Sequence, residues 1–119
     1  MDSRELGRWG EQQAARYLRR RGYAIVAMNY GCRQGEIDLI ARRRGCIVFV
    51  EVKLRKDAAF AEAREFVTRA KQARIMAAAQ LWLCENETEL QPRFDVIEIY
   101  APDGVNGRAR IAHIENAFE

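Results

Sequence analysis

The stretch Glu36-Ile37-Asp38-Leu39-Ile40-Ala41-Arg42-Arg43-Arg44-Gly45-Cys46-Ile47-Val48-Phe49-Val50-Glu51-Val52-Lys53-Leu54-Arg55 decides the fold. It divides at Arg44-Gly45. Before the division, Ile37, Leu39 and Ala41 alternate with Glu36, Asp38 and Ile40. After it, Cys46, Val48, Val50, Val52 and Leu54 form one apolar face. The opposite face begins with Ile47 and Phe49 and turns to Glu51, Lys53 and Arg55. A period of two is the period of a strand. A strand apolar on both faces at one end sits in the middle of a sheet, and its polar end opens onto something. A two-residue turn at Arg44-Gly45 pairs Arg43 with Cys46. Counting outward predicts Asp38 opposite Glu51 and Glu36 opposite Lys53, with Cβ atoms ~4.5–5.5 Å apart. A slip of one residue would put charges into the apolar face, so the register is strongly specified.

Helical spacing governs the flanks. Leu6, Trp9, Gly10, Ala14, Tyr17 and Leu18 recur at helical intervals, with Asp2 or Ser3 as cap, so a helix is predicted over residues 4–21. Gly22 follows Arg19-Arg20-Arg21 and suits the helix end. Tyr23 to Tyr30 reads as a first strand. Residues 56–65 carry no clear period. From Thr68 to Glu85 the helical period returns, with Ala70, Ala73, Ala77, Leu81 and Cys84 as the expected sheet-facing stripe and Trp82 beside it. Phe94 to Ala101 and Ala109 to Ile114 read as strands, with a turn at 102–107. The order is α-β-β-β-α-β-β in a single domain spanning 1–119.

Inventory excludes several chemistries. With 119 residues the chain has room for one core. Its one serine, Ser3, is nearly terminal, which disfavours a serine triad. His113 is the lone histidine, and a lone histidine in a terminal strand is usually structural. Cys32, Cys46 and Cys84 lie 14 and 38 residues apart, too scattered for a zinc site. Their odd number without a secretory signal suggests free thiols and a cytoplasmic location. No apolar run is long enough to cross a membrane. Charge is uneven. Residues 1–56 hold 13 Lys/Arg and 6 Asp/Glu, a net of +7, against 7 and 11, a net of −4, in the remainder. Of the 20 basic residues, 17 are arginine, whose planar fork pairs with phosphate oxygens. An arginine-rich basic half favours a polyanionic partner. Arg42-Arg43-Arg44 and Arg19-Arg20-Arg21 are candidate phosphate clamps, although such clusters are commonly solvated basic turns.

Asp38 and Glu51 carry the chemistry. Two opposed carboxylates beside an apolar core repel unless one takes a proton or a cation sits between them. Hard oxygen ligands with room for water suit Mg²⁺ or Mn²⁺. The Val52 carbonyl is a further candidate ligand. Lys53, on Glu51's face, would hold a water or neutralise a phosphate. These parts suit phosphodiester hydrolysis. Glu11, at the edge of the first helix's stripe, is a candidate fourth member. Lys71 flanks the second helix's stripe and faces either the site or solvent.

Gly10-Glu11, Gly22-Tyr23, Asn29-Tyr30, Gly35-Glu36-Ile37-Asp38-Leu39-Ile40-Ala41, Val48-Phe49-Val50-Glu51-Val52-Lys53, Lys71 and Phe94-Asp95-Val96-Ile97 follow one another in this order. As a set, covering about residues 5–100, they resemble the bacterial YraN-like family. That family belongs to the restriction-endonuclease-like PD-(D/E)xK superfamily and is similar to archaeal Holliday junction resolvases. The resemblance implies an α/β restriction-endonuclease-like core, a central mixed β-sheet flanked by helices. It also implies metal-dependent nuclease chemistry on DNA, whether duplex, single-stranded or branched. Carried over, Asp38 and Glu51 match the metal-binding acids, Lys53 the catalytic lysine and Glu11 the helix acid. Glu36 and Arg55 also fit the pattern, and Arg55 and Lys71 join Arg42, Arg43 and Arg44 as candidate nucleic-acid contacts. A four-way junction would call for a homodimer by analogy. Two departures stand out. Ile37 occupies the place of the superfamily's proline, and Asp57 to Ala63 lacks the glycine usual after the core. The alternative reading is a nucleic-acid-binding module that keeps the fold without turnover.

Overall fold

The computed structural model describes residues 2–55 and 67–119. The first helix, α1, runs Ser3–Arg20. Asp2 caps it, accepting the Glu5 N–H at 2.9 Å. Gly22 ends it at φ 87°, a left-handed conformation that costs glycine little. Strands β1 (Ala24–Gly31), β2 (Glu36–Arg43) and β3 (Cys46–Arg55) follow, then α2 (Arg69–Glu85), β4 (Gln91–Tyr100) and β5 (Arg110–Ile114). The five strands form one sheet in sequence order. All neighbours are antiparallel except β3 and β4, which run parallel. A parallel pair needs a crossover between its strands, and α2 lies in that connection. The architecture is therefore α/β, a mixed sheet flanked by two helices in the expected order. The unassigned segment 56–65, with its glycine-free stretch, lies outside the described residues.

Each helix covers its own core. Ala14, Ala15 and Leu18 of α1 pack with Leu39, Ala41, Val48, Val50, Ile97 and Ile99. Trp9 and Tyr17 pack against this cluster, as expected of core residues. Ile75, Ala78, Ala79 and Trp82 of α2 pack with Ile37, Ile40, Ile47, Phe49 and Val96. The α2 stripe is thus not the expected one. Ala70, Ala73, Ala77 and Cys84 are exposed. Large apolar side chains choose the buried face, because burying each contributes ~1.5–3 kcal/mol. Alanine favours the helix equally well on either side. Trp82 is core, edge-on to Phe49 with ring centroids 5.8 Å apart.

Strand β4 starts three residues earlier than predicted, because Pro92 is tolerated within it. The Gln91 N–H donates to the Gly45 carbonyl at 2.8 Å, so odd-numbered amides of β4 face β3. Pro92, lacking an N–H, faces the other edge, where β5 first pairs only at Val96.

The β2–β3 hairpin has the expected register, with Arg43 opposite Cys46, Ala41 opposite Val48 and Leu39 opposite Val50. Arg44 turns at φ 53°, the sign a tight hairpin needs at that position. The ladder then stops at Leu39–Val50. Asp38 and Glu51 are not ladder partners, and Ile37 leaves Leu39's face to join Ile40's cluster. The cause is a bend shared with β1. Asn29 lies between the pairs Met28–Leu39 and Tyr30–Ile37 and has φ 54°. Met28 packs with the α1 cluster and Tyr30 with the α2 cluster, so both strands change face there.

Candidate active site

The bend gives Asp38 its position. Its Oδ2 accepts the Val52 N–H at 2.8 Å. A side-chain oxygen thus occupies the place of a ladder carbonyl, and β2 splays from β3. Beyond the splay, on the face of β3 toward α2, lies Glu51, only 5% exposed. A buried carboxylate needs partners. Lys71 supplies one, its Nζ 2.7 Å from Glu51 Oε1, and the Lys53 Nζ stands 3.9 Å from the same oxygen. Lys71 is fixed in the first turn of α2, where its N–H donates to the capping Thr68 Oγ1 at 3.1 Å.

Electrostatics follow the crowding. Burial, then the Glu51 charge, pushes the Asp38 carboxyl up to about 7. The Val52 N–H and Lys71 oppose that rise, and Glu11 adds to it. Glu11 is half-buried on α1. Burial raises its carboxyl, a hydrogen bond with Asn29 pulls the other way, and the charges of Glu36 and Glu51 raise it further. Burial lowers the Lys53 ammonium, and the neighbouring Lys71 charge lowers it again. Burial also works against the Lys71 ammonium, but Glu51 outweighs it and holds the group above the ordinary lysine value. Glu36, Asp38, Glu51, Lys71 and Arg74 line a cleft of about 250 Å³, closed on one side by Gly35 and Ile75.

The structure therefore brings together Glu11, Asp38, Glu51, Val52, Lys53 and Lys71. Lys71 points at the site, on Glu51. Arg42, Arg43 and Arg44 lie elsewhere. They occupy the hairpin tip, five residues of β3 from Glu51, a span of ~17 Å. Arg55 continues the polar face of β3, where its Nε meets Oε2 of the buried Glu98 at 3.0 Å. Sequence reasoning missed two partners, Asn29 and Glu98. An asparagine inside a strand was the signal for Asn29, since it tolerates left-handed φ and disfavours regular strands. Glu98 sits in an otherwise apolar run, Val96-Ile97-Glu98-Ile99. His113 is structural as expected. Its Nε2 lies 2.7 Å from Oδ2 of the fully buried Asp95.

The donor set can be tested against a divalent cation. Among the described residues, no three acid, histidine or cysteine side chains converge to hold an ion. Two carboxylates remain, Asp38 and Glu51, together with the Val52 carbonyl. That carbonyl faces the same edge as the Val52 N–H, where the ladder to β2 has ended. Mg²⁺ commonly takes one or two carboxylates and keeps several waters, so this sparse oxygen set fits it. Burial, and after it the Glu51 charge, raises the Asp38 carboxyl, and a cation between the two acids would offset the second of these.

The sequence profile of the uncharacterised protein family UPF0102 matches residues 10–99. The chain belongs to this family. Its matched span runs from just before Glu11 to Ile99 in β4, and so holds every residue of the cleft. A UPF0102 protein of Symbiobacterium thermophilum is 47% identical over 117 residues, covering 98% of each chain. One from Pelobacter propionicus is 45% identical over 121 residues, covering 99% of this chain and 85% of its own. One from Nocardia farcinica is 44% identical over 118 residues, covering 98% and 91%. Among the described residues no helix is long and apolar enough to cross a membrane.

Proposed function

We propose that this UPF0102 chain is a metal-dependent endonuclease with a restriction-endonuclease-like core, hydrolysing phosphodiester bonds in DNA. One observation carries the reading. Asp38, with its carboxyl pushed up to about 7, sits at the splay of two strands beside Glu51 and two lysines. Asp38, Glu51 and the Val52 carbonyl would hold Mg²⁺ or Mn²⁺. The ion would supply Lewis-acid charge to the scissile phosphate and acidify a water. Lys71 neutralises Glu51 in the chain as it stands, and its ammonium would be available to a phosphate if an ion took over that role. Lys53, its ammonium weakened by burial, is suited to hold the attacking water and exchange a proton with it. Glu11, tied to Asn29, adds acidic charge beside Glu36 and Glu51 and would support a bound ion from there. Arg55 extends the basic face along the strand. A four-way junction has two strands to cut, so that substrate would call for a homodimer with one site per copy.

A second reading has its own support. The Lys71–Glu51 contact at 2.7 Å already neutralises one carboxylate, as a non-catalytic nucleic-acid-binding module would require. Cleavage assays separate the two. Labelled junction, single-stranded and duplex DNA are incubated with Mn²⁺, Mg²⁺ or EDTA, alongside Lys53→Ala. The nuclease reading predicts metal-dependent cutting that falls ~10²-fold or more in the variant, with DNA binding retained. Tight binding without cutting of any substrate would leave the binding module. Cutting that persists in EDTA would contradict the proposed site.

A further inference from the structure

A second polar site lies at the other end of α1. The helix's last residues, the start of β1, the hairpin tip and the end of β5 meet around a pocket of about 300 Å³. It is lined by Tyr17, Arg21, Tyr23, Arg43, His113 and Glu115. Its guanidiniums are held in place by aromatic rings. The Arg21 guanidinium lies 4.5 Å from the Tyr17 ring centroid, and that of Arg43 lies 5.3 Å from Tyr23. The floor is also fixed. His113 contacts Tyr17 edge-on at 5.5 Å and meets Asp95 through Nε2. The negative charges nearby are engaged. Asp95 takes both Arg93 nitrogens at 2.8 and 2.9 Å. Glu115, at the exposed lip, lies 3.5 Å from Arg93 and 3.4 Å from the Tyr23 hydroxyl. Arg16 and Arg20 line an adjoining cleft.

We infer that this pocket binds a phosphate ester, a backbone phosphate of the nucleic acid engaged at the Asp38–Glu51 site. Stacked guanidiniums keep their forks pre-oriented for phosphate oxygens, where free arginines would have to be ordered first. The spacing suits this role. Glu11, whose charge couples to Asp38 and Glu51, and Arg21 are ten residues apart along α1 and its cap, a rise of ~15 Å. That span corresponds to roughly four to five base pairs of duplex. The inference rests on the nucleic-acid reading of the first site, yet it is tested without catalysis.

The test is DNA affinity in EDTA as a function of salt, for wild type and Arg21→Ala/Arg43→Ala. The probe is a long duplex of ~20 base pairs, which reaches both sites. The expected result is at least a tenfold loss for the long duplex at moderate salt, with the salt slope reduced by about 2. Arg21→Lys/Arg43→Lys keeps the charge and loses the fork, so it should fall between wild type and the alanine variant. Unchanged thermal unfolding of the lysine variant guards against misfolding. Equal affinity of wild type and both variants for the long duplex, or no DNA binding by wild type at low salt, would overturn the inference. So would a free mononucleotide that binds wild type and not the alanine variant while long-duplex affinity is unchanged, since the pocket would then serve soluble nucleotides. Loss of metal-dependent cutting with this binding pattern intact would sink the nuclease reading alone.

Discussion

Asp38 and Asp95 stand on one sheet with opposite electrostatics. Asp95 is fully buried, and burial alone would raise its carboxyl. His113, Arg93 and the Asn116 N–H outweigh that and hold it below the ordinary carboxylate range. Asp38 is pushed up to about 7, first by burial and then by the charges of Glu51 and Glu11, against which it has one N–H donor, Val52, and the charge of Lys71. The signs of two neutralising substitutions should therefore differ. A depressed carboxyl contributes stability that is present above its ordinary value and lost only in acid. Asp95→Asn should cost ~3 kcal/mol at neutral pH by removing the buried charge partner of Arg93 and leaving it only the exposed Glu115 at 3.5 Å. A raised carboxyl contributes stability that is present in acid and lost as pH rises through about 7. Asp38→Asn should stabilise the metal-free chain by ~2 kcal/mol at pH ~8 and by little at pH ~5, since the amide oxygen still accepts from Val52. Urea unfolding in EDTA at both pH values checks the pair. A destabilised Asp38→Asn at pH ~8 would refute the repulsion described here. At this scale the acids and lysines were legible, because charged residues on an apolar strand stand out. Asn29, which bends the strand, and Glu98, which engages Arg55, were not. Their partners come from elements distant in sequence.

The elements hold the cleft by close approach. Gly35, just before β2, lies against α2, and a Cβ there would meet the Arg74 Cβ at 3.1 Å and its carbonyl at 3.2 Å. Its backbone has no positive φ, so space alone demands glycine. Gly35→Ala should push α2 outward, costing ~1 kcal/mol and loosening Lys71 from Glu51. A thermal melt lowered by a few degrees, with Gly45→Ala at the open hairpin tip as a milder control, would bear this out. Equal effects of the two would not. The hairpin register was legible because any slip moves charges into the core. The bend was hidden because period-two counting assumes a straight strand. The buried face of α2 was misjudged because alanines set helical period without setting which side is buried. Ile75 and Trp82 do that.

Across the molecule, the crossover through α2 sets β3 beside β4 and leaves the polar end of β3 open at the splay. The opposite end carries the arginines of the hairpin and of α1. The basic first half seen in the sequence therefore gives Lys53 to the cleft, where Lys71 of the second half joins it, and gathers arginines at the separate hairpin tip. DNA affinity in EDTA should fall steeply with salt, with a slope of about −3 to −5 in log–log form if both regions touch phosphate. A slope near −1 would mean that only one contact forms.

The proposed chemistry requires Asp38 and Glu51 together to hold a divalent cation. Mn²⁺ titration followed by electron paramagnetic resonance, on wild type and Asp38→Asn at pH ~8 and ~6, measures this directly. One site is expected in wild type, about tenfold weaker at pH ~6 because Asp38 must first lose its proton, and lost in the variant. Equal Mn²⁺ binding by wild type and Asp38→Asn at both pH values would contradict it.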